Sequence, residues 1–367
     1  MDFAFSDDQQ QIRELARKIL EEQSTHERLK EVEAGEDRVD HDTFAELARA
    51  NLLGVAIPEE HGGMGFGLLE LCLLLEEVGR SVAQVPVYPS LVLGALPLQV
   101  YGSDAQKERW LPQVASGEAI LTAALAEAPG AAVEARRDGD GWRLTGRRAL
   151  VPAGHVAHRI LVPATTGNGP AFFLVDPRTD GVALERAEVT NREIRPHLEL
   201  QDVRVPKGEI LGDPGEGDRI AAWLRDRATL ALCAMQVGVA ERALRMTASY
   251  VTERKQFDRP IGSFQAVHTR AGDAYVDVQA MTLTFWRALH QVDHGEDATE
   301  TLAIAKYWAS EAGHRVTYAA QHLHGGIGVD IDYPVHRYYL WAHELGMHLG
   351  SGSAHLARLG ERIAASG

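Results

Sequence analysis

The sequence predicts an α+β protein of three domains: a helical domain over residues 1–120, a β-barrel or sandwich over 121–214 and a four-helix bundle over 215–367. Three observations support this prediction. Apolar residues recur at helical spacing in the first third, short β-rich runs alternate with turn residues from about Leu121, and the helical period returns after Gly215. A chain of 367 residues with 45% hydrophobic content can bury the cores of several domains.

The first domain is predicted from helix caps and buried stripes. Ser6 is suited to cap a helix whose apolar positions fall on one face. Asp42 is predicted to cap a helix over residues 44–53, and Ser103 is predicted to begin another. The apolar segment 67–78 predicts a helix that is buried on most of its faces.

The middle domain is predicted from runs of β-branched and aromatic residues. The predicted strands are residues 142–146, 159–164, 171–177 and 198–206. Residues 138–141 (DGDG) and 166–170 (TGNGP) have the composition of tight turns, so we expect them to connect neighbouring strands.

The charge of the chain argues against two classes of partner. With 37 basic and 52 acidic residues the formal net charge is −15, which disfavours nucleic acid and anionic membranes. The acidic start of the chain shows no secretory signal, so we expect a cytoplasmic protein. The two cysteines, Cys72 and Cys233, lie in apolar helical contexts and are predicted to be buried thiols.

Six histidines lie between residues 322 and 355 without forming a metal motif. No two of the six have the i, i+4 spacing of a helical ligand pair, so we predict no metal site. They are instead predicted to be hydrogen-bonded packing residues: His322, His324, His336, His343, His348 and His355.

The segment 250–265, YVTERKQFDRPIGSFQ, predicts an anion site. Arg254 and Lys255 are predicted to close a long helix, and Pro260 then forces a turn. The guanidinium of Arg254 is suited to a bidentate grip on a pyrophosphate, and Phe257 supplies a flat apolar face beside it. The alternative is an ordinary surface helix end, because basic residues are common in a last turn.

A second segment, QHLHGGIG, strengthens the first interpretation. Gly325, Gly326 and Gly328 follow a helix that is predicted to end near Gln321. Such glycines let a backbone approach a ligand closely, although they also end helices in proteins without ligands.

Together the two segments resemble the acyl-CoA dehydrogenase family, which carries an R-x-x-F-G-x-P-I-x-x-x-Q block followed by a Q-x-x-G-G-x-G block. Two upstream landmarks agree with the resemblance: IPEEHGGMGFG at 57–67 and the exit from the β domain at Leu211 and Gly212. The resemblance implies an α, β, α fold in which flavin adenine dinucleotide (FAD) lies between the β domain and the bundle, with its site completed by a neighbouring subunit. It also implies an acyl-CoA thioester as substrate and, through the family alone, an electron-transfer flavoprotein as a possible partner.

The same resemblance assigns roles to individual residues. His322 stands where the family has the Gln of the second block, with Gln321 beside it, and either side chain can donate a hydrogen bond. The remaining positions that the resemblance places at the cofactor of a neighbouring subunit are Arg254, Gln256, Phe257, Gln265, Gly325 and Gly326.

The middle domain departs from the family pattern. Relatives read T-E-P-x-x-G-S-D where this chain has LAEAPGAAVE at 125–134, so a serine and an acidic residue near the flavin are absent. Relatives then read W-I-T or F-I-S beside the flavin ring, where this chain has Leu150, Val151 and Pro152. Proline has neither a hydroxyl nor a backbone N–H. We therefore expect this β domain to be a poor partner for a flavin.

The position of the catalytic base also departs from the family. The family's Glu-Gly-Thr triplet matches Leu349-Gly350-Ser351, and leucine cannot accept a proton. Glu344 is five residues earlier on a helix, which points it away from the Leu349 face. A second known base position falls in residues 228–235, which contain no carboxylate, and the nearby Asp226 is better explained as a capping or solvated residue.

The runs 324–341 and 151–164 resemble an actinobacterial branch of the family that acts on bulky thioesters such as steroid side chains. In that branch two different subunits form a heterotetramer, and only one supplies the carboxylate. The sequence is similar to the subunit without it. Three hypotheses follow: a subunit that pairs with a base-bearing homologue, a homo-oligomeric flavin-dependent oxidoreductase or monooxygenase, and a catalytically silent scaffold.

Overall fold

The computed structural model describes residues 4–126 and 132–366, with helices at both ends of the chain and a sheet between them. This order confirms the predicted helical, β-rich and helical regions. The first region contains α1 (Asp7–Gln23), α2 (His26–Ala34), α3 (His41–Arg49), α4 (Leu68–Ser81), a π-helix (Tyr88–Ala95), α5 (Leu96–Tyr101) and α6 (Asp104–Ala115).

The helix caps explain where the first helices begin. Ser6 and Ser103 begin α1 and α6, as predicted. Each forms a capping box, because its hydroxyl accepts from the backbone N–H of the glutamine three residues later and its own N–H donates to that glutamine's side chain. The prediction for Asp42 is wrong, because α3 begins at His41 and Asp40 is its cap. The carboxylate of Asp40 accepts from both the backbone N–H and the hydroxyl of Thr43, at 3.2 Å and 2.8 Å.

In the middle region, the residues that the structure describes form one mixed sheet of eight strands. The strands are β1 (Leu121–Ala123), β2 (Glu134–Asp138), β3 (Gly141–Arg148), β4 (Arg159–Thr166), β5 (Gly169–Val175), β6 (Val182–Glu185), β7 (His197–Val205) and β8 (Ile210–Leu211). Their order is β6-β7-β3-β2-β4-β5-β8, with β1 beside β4. Strands β1 and β2 run parallel to β4, and the other neighbours are antiparallel.

The four strands and the two turns predicted from the sequence are all present in the sheet. The four predicted runs are β3, β4, β5 and β7, and the two predicted turns lie between β2 and β3 and between β4 and β5. Side chains of one face form a buried core in which the rings of Trp142 and Phe173 meet edge to face at 5.4 Å. Burial alternates along most of β7, whereas most residues of β4 and β5 are buried whichever face of the sheet they lie on.

The last region is helical apart from one hairpin. It contains α7 (Gly217–Glu253), β9 (Lys255–Gln256), β10 (Arg259–Pro260), α8 (Gln265–Asp293), α9 (Thr299–His324), α10 (Val335–Met347) and α11 (Gly352–Ser366). The predicted breaks at residues 294–297 and 325–334 lie between these helices, and the one at 350–352 lies there except for Gly352, the first residue of α11. None of the helices within the described ranges is both long enough and apolar enough to cross a membrane.

Contacts between residues divide the chain into two compact units. The helical unit contains the described residues of Met1–Lys30, Cys72–Ala83 and Thr229–Gly367. The sheet unit contains those of Glu31–Leu71 and Gln84–Ala228. The boundaries of the three domains expected from the sequence stay a prediction.

Within the helical unit, α4 and α7 approach each other at two glycines. A Cβ on Gly79 would lie 2.0 Å from the carbonyl oxygen of Met235, and one on Gly238 would lie 1.9 Å from that of Glu76. Only glycine permits such close contact between the two backbones. The predicted burial of the thiols is confirmed, since Cys72 of α4 and Cys233 of α7 are both buried.

Two buried glutamates of α4 carry the main ion-pair network of this unit. Glu77 is fully buried and accepts from Arg17 at 2.7 Å and 3.0 Å. Glu76 is 5% exposed and accepts from Arg13. Burial raises the pKa of the Glu76 carboxyl to about 7, because removing the charged form from water outweighs the attraction of Arg13.

This raised pKa predicts a pH dependence of stability. In the folded protein Glu76 keeps its proton up to about pH 7, whereas in the unfolded chain it releases the proton above the ordinary carboxyl pKa of 4.5. The stability that this proton contributes is therefore complete below about pH 4.5 and is lost as the pH rises through 7. At pH 8 we expect Glu76→Gln to raise the free energy of unfolding by up to about 3 kcal/mol and therefore to raise the melting temperature above that of the parent. At pH 4.5 we expect no such gain. Glu118→Gln, at an exposed turn position, is the matched control. Equal effects of E76Q at the two pH values would contradict this assignment.

Candidate functional site

The predicted anion segment folds as a β-hairpin rather than as a helix end. The prediction that Arg254 and Lys255 close the helix is wrong, because α7 ends at Glu253 and Lys255 opens strand β9. The backbone N–H of Ile261 donates to the carbonyl oxygen of Arg254 at 2.8 Å, and Gln256 pairs with Arg259 across the two strands. Arg254 therefore lies at the junction between a long helix and a rigid hairpin.

The tip of this hairpin presents an aromatic side chain. Phe257 and Asp258 are the two loop residues, and their φ angles of 55° and 62° match a type I′ turn. A left-handed conformation is uncommon for phenylalanine and costs about 1 kcal/mol or more. The Phe257 side chain is nevertheless 86% exposed, and Phe264 contacts it edge to face at 6.1 Å. The turn thus holds a large apolar ring out to solvent.

The glycine segment forms a sharp bend after α9. The helix ends at His324, not near Gln321 as the sequence predicted. Gly325 has φ 67° and ψ −141°, a conformation that is essentially restricted to glycine. A Cβ on Gly326 would meet nothing within 4 Å, so the backbone there faces open space. This is the surface that a close-approaching ligand requires.

A direct contact brings the hairpin and the bend together within the helical unit. The ring of Tyr250, in the last turn of α7, stacks on the imidazole of His324 at 4.4 Å with an interplanar angle of 22°. The Tyr250 hydroxyl also donates to the carbonyl oxygen of His324 at 3.4 Å. The two segments identified in the sequence therefore form one local site.

The polar side chains predicted to bind the cofactor are exposed and available. Arg254, Gln256, Gln265 and His322 are all exposed, and their side chains make no hydrogen bond or ion pair with the residues that the structure describes. Gln321 is different, because its amide donates to the carbonyl oxygen of Gly328 at 3.2 Å. Of the two candidates for the family's Gln, His322 is thus the one left to face a ligand.

The loop that matches the flavin-ring position of the family lies in the sheet unit and has its polar backbone groups occupied. Leu150 donates its N–H to Nδ1 of His197 at 3.4 Å, and Val151 donates to the carbonyl oxygen of Pro196 at 2.8 Å. Pro152 has no N–H, and its carbonyl oxygen accepts from the hydroxyl of Thr122 at 2.7 Å. This loop offers no free backbone donor at these three residues. The other predicted departure, in residues 125–134, falls partly at 127–131, outside the described residues.

The turn at the family's base position is held in a fixed shape. Leu349 lies between α10 and α11 with φ 58°, and its carbonyl oxygen accepts from Nε2 of His355 at 3.1 Å. Glu344 lies 3.9 Å from Nδ1 of His348 and its side chain is only 12% exposed. The nearest acid along the chain is therefore paired with a neighbouring imidazole.

A buried lysine that was not predicted from the sequence bonds to the end of α10, just before this turn. Lys306 of α9 is 1% exposed and donates to the carbonyl oxygens of Leu345 and Gly346 near the end of α10. Burial lowers the pKa of its ammonium to about 8. The hydroxyl of Ser310 adds a bond to Gly346 at 2.9 Å. A lysine inside the apolar run AIAKYWA was the available signal, because buried lysines are rare without partners.

The histidines of the last quarter occupy different environments. Those at 324, 336 and 355 bond to backbone carbonyls, as expected for packing residues, whereas His322 is exposed. Within residues 4–126 and 132–366, no group of three or more His, Cys, Asp or Glu side chains is arranged to hold a metal ion.

Comparison with known proteins assigns the chain to a family. Residues 6–118 match the acyl-CoA dehydrogenase N-terminal domain, and residues 215–364 match the acyl-CoA dehydrogenase C-terminal domain. The chain is 40% identical to the acyl-CoA dehydrogenase FadE27 of Mycobacterium tuberculosis, over 99% of both chains. It belongs to the acyl-CoA dehydrogenase family. The predicted resemblance is thereby confirmed, and with it an oxidoreductase family that depends on FAD.

Two solved structures are similar to the chain over nearly its whole length. The ChsE4-ChsE5 complex from Mycobacterium tuberculosis matches with 41% identity and a TM-score of 0.95, over 99% of both chains. A variant of the Tcur3481-Tcur3483 steroid ACAD matches with 44% identity and a TM-score of 0.91, over 98% of both chains. Both similarities extend through the helical and the sheet regions.

The two halves of the family's cofactor site fit FAD unequally in this chain. The hairpin and bend of the helical unit fit the anionic part of a dinucleotide, since they combine an exposed glycine backbone with a guanidinium that has no partner among the described residues. The loop at Leu150, Val151 and Pro152 does not fit the ring, because its backbone donors are occupied or missing. This imbalance is the main chemical feature of the site.

Proposed function

We propose that this chain is a subunit of an FAD-dependent acyl-CoA dehydrogenase that lacks the catalytic carboxylate and works with a homologous subunit that carries it. One observation supports this most strongly: the chain keeps the arginine, the phenylalanine and the glycines of the family's phosphate-binding segments, while the loop at its flavin-ring position is closed by its own hydrogen bonds. A chain with this combination can contribute to a flavin that another subunit houses.

In this proposal the helical unit binds the cofactor's pyrophosphate and adenine. Arg254 supplies the positive charge and a bidentate set of donors, and its junction with the hairpin limits its freedom. Phe257 presents a ring for the adenine, held outward by the type I′ turn. Gln256, Gln265 and His322 add hydrogen bonds, and the Gly325 and Gly326 backbone lets the phosphates pass closely.

The chemistry then requires a base from elsewhere. Bound FAD would supply the hydride acceptor for the β-carbon of an acyl thioester, and a carboxylate would have to remove the proton from the α-carbon. This chain has Leu349 at the family's base position, and residues 228–235 contain no acid. Lys306 donates to the carbonyl oxygens of Leu345 and Gly346 in α10, so a movement of this helix end that brings Glu344 to the base position would break buried hydrogen bonds. The partner subunit supplies the carboxylate.

We infer a bulky acyl group, such as a steroid side chain, as the substrate. The runs 324–341 and 151–164 resemble the branch of the family with such substrates, and one similar structure is that of a steroid ACAD. A second similar structure is a complex named for two components, which supports a heteromeric assembly here. An electron-transfer flavoprotein as the electron acceptor remains an extension of the family resemblance.

Co-expression with a homologous base-bearing chain encoded nearby tests this function. We expect the complex to be yellow and to desaturate a steroid side-chain thioester faster than butyryl-CoA, and the chain alone to be colourless and inactive. A flavin-loaded, active chain alone would instead favour a homo-oligomeric oxidoreductase or monooxygenase. Absence of flavin and activity with every homologous partner would favour a silent scaffold.

Restoring the missing carboxylate provides a sharper test. We expect Leu349→Glu in the chain alone to remain inactive, because the loop at residues 150–152 still offers the flavin ring no donor. Leu349→Gln, which adds the same bulk without a charge, is the control for the fold. Dehydrogenation by the isolated L349E chain would show that this subunit houses its own flavin and would refute the proposed division of labour.

A further inference from the structure

Three rings meet at the junction of the candidate cofactor site, and none of them is among the residues that the family resemblance assigns. Tyr250 stacks on His324 at 4.4 Å, and the ring of Tyr333 lies 5.3 Å from that of His324. The three residues belong to the end of α7, the end of α9 and the loop before α10. They join the chain segments on which the site is built.

The state of the His324 imidazole follows from its surroundings. Its Nδ1 lies 2.7 Å from the carbonyl oxygen of Ala320, so Nδ1 carries the proton and donates it. Burial lowers the pKa of His324, and the side chain is only 3% exposed, so the ring is neutral. Its Nε2 is buried and bonds to none of the described residues. The ring is thus fixed in orientation by one hydrogen bond and by the stack.

The positions of Tyr250 and His324 along the chain explain which parts of the site their contact connects. The N–H of Arg254 donates to the carbonyl oxygen of Tyr250 at 2.8 Å, so Arg254 stands one helical turn beyond the stacked ring. Gly325 directly follows His324 and begins the bend. A shift of one ring against the other would therefore change the spacing between the guanidinium and the glycine backbone.

We propose that Tyr250 and His324 are positioning residues that set the spacing of a two-part dinucleotide clamp. This inference rests on the proposed function, because it assumes that Arg254 and the glycine bend bind the same cofactor. It goes beyond that function because it makes the FAD affinity depend on two side chains that do not themselves touch the cofactor. Because the stack fixes the spacing between Arg254 and the glycine bend before the cofactor binds, less conformational entropy is lost on binding.

The test compares flavin affinity among variants of the co-expressed complex. We expect Tyr250→Leu and His324→Leu each to weaken FAD binding about tenfold, because each removes the stack. The double variant should also lose about tenfold rather than a hundredfold, because both changes remove the same contact. Tyr250→Phe keeps the ring and should bind FAD within about twofold of the parent. The rescue by phenylalanine and the non-additivity are not expected from a general loss of stability.

Two controls separate this proposal from ordinary packing and from the proposed function. Tyr101→Leu removes a different aromatic contact, the edge-to-face contact of Tyr101 with Trp223 at 5.4 Å in the sheet unit. This variant should leave the FAD affinity unchanged. If Y250L does not assemble, Tyr250→Met gives the same comparison, because a flexible side chain fills the space without a planar ring. Normal FAD binding by Y250L or Y250M, with Arg254→Ala defective, would overturn this inference alone. Normal binding by R254A would overturn the proposed function as well.

Discussion

Replacing Arg254 by alanine is expected to lower the FAD affinity of the co-expressed complex about 100-fold, because two charge-assisted hydrogen bonds to a pyrophosphate are worth about 3 kcal/mol together. The side chain is exposed and has no partner among the described residues, so its removal should leave the melting temperature of the flavin-free protein unchanged. Flavin fluorescence during titration measures the first quantity, and circular dichroism during heating measures the second.

The control for this variant is another exposed arginine of the helical unit. Arg287 of α8 is exposed, so Arg287→Ala changes the net charge by the same amount at a different place. We expect R287A to bind FAD like the parent. Equal losses in the two variants would mean that FAD responds to overall charge, and the role assigned to Arg254 would be wrong.

Gly326→Ala is the second change with a large expected effect. An added Cβ at this position meets no atom within 4 Å, so the protein itself tolerates alanine. A phosphate that passes close to this backbone would meet the new methyl group, and we expect FAD binding to weaken about tenfold or more. Titration of the complex with FAD, together with a melting curve of the flavin-free protein, measures both effects.

Gly272→Ala is the matched control for the glycine bend. Its added Cβ also meets nothing within 4 Å, and the residue lies within helix α8. Alanine there should raise stability by up to about 1 kcal/mol and leave FAD binding unchanged. If G326A binds FAD as tightly as G272A does, the cofactor does not pass the bend.

The sequence was sufficient for the fold where local signals were strong. The caps at Ser6 and Ser103 and the β-branched and aromatic runs of β3, β4, β5 and β7 are contained in a few adjacent residues. The short strands β1 and β8 were missed because a run of two or three residues has no measurable period, and their pairing partners are distant in sequence. Asp42 was mistaken for a cap because Asp40, two residues earlier, competes for the same role.

The candidate site was predictable in its composition but not in its geometry. The residues around Arg254 and Gly325 were recognised from their motifs, yet the hairpin was not, because Phe257 and Asp258 adopt positive φ angles without a glycine. The stack of Tyr250 on His324 and the anchor formed by Lys306 join helices far apart in sequence. Contacts of that kind depend on tertiary packing, which no local pattern contains.

The ratio of flavin to protein in the purified heteromeric complex tests the central claim most directly. If this chain supplies phosphate-binding residues to a flavin housed by its partner, the complex will contain half as many flavins as polypeptide chains, and the chain alone will contain none. Absorbance of the released flavin, set against protein concentration from amino-acid analysis, gives this ratio. One flavin for every chain, or a stoichiometric flavin in the isolated chain, would contradict the account.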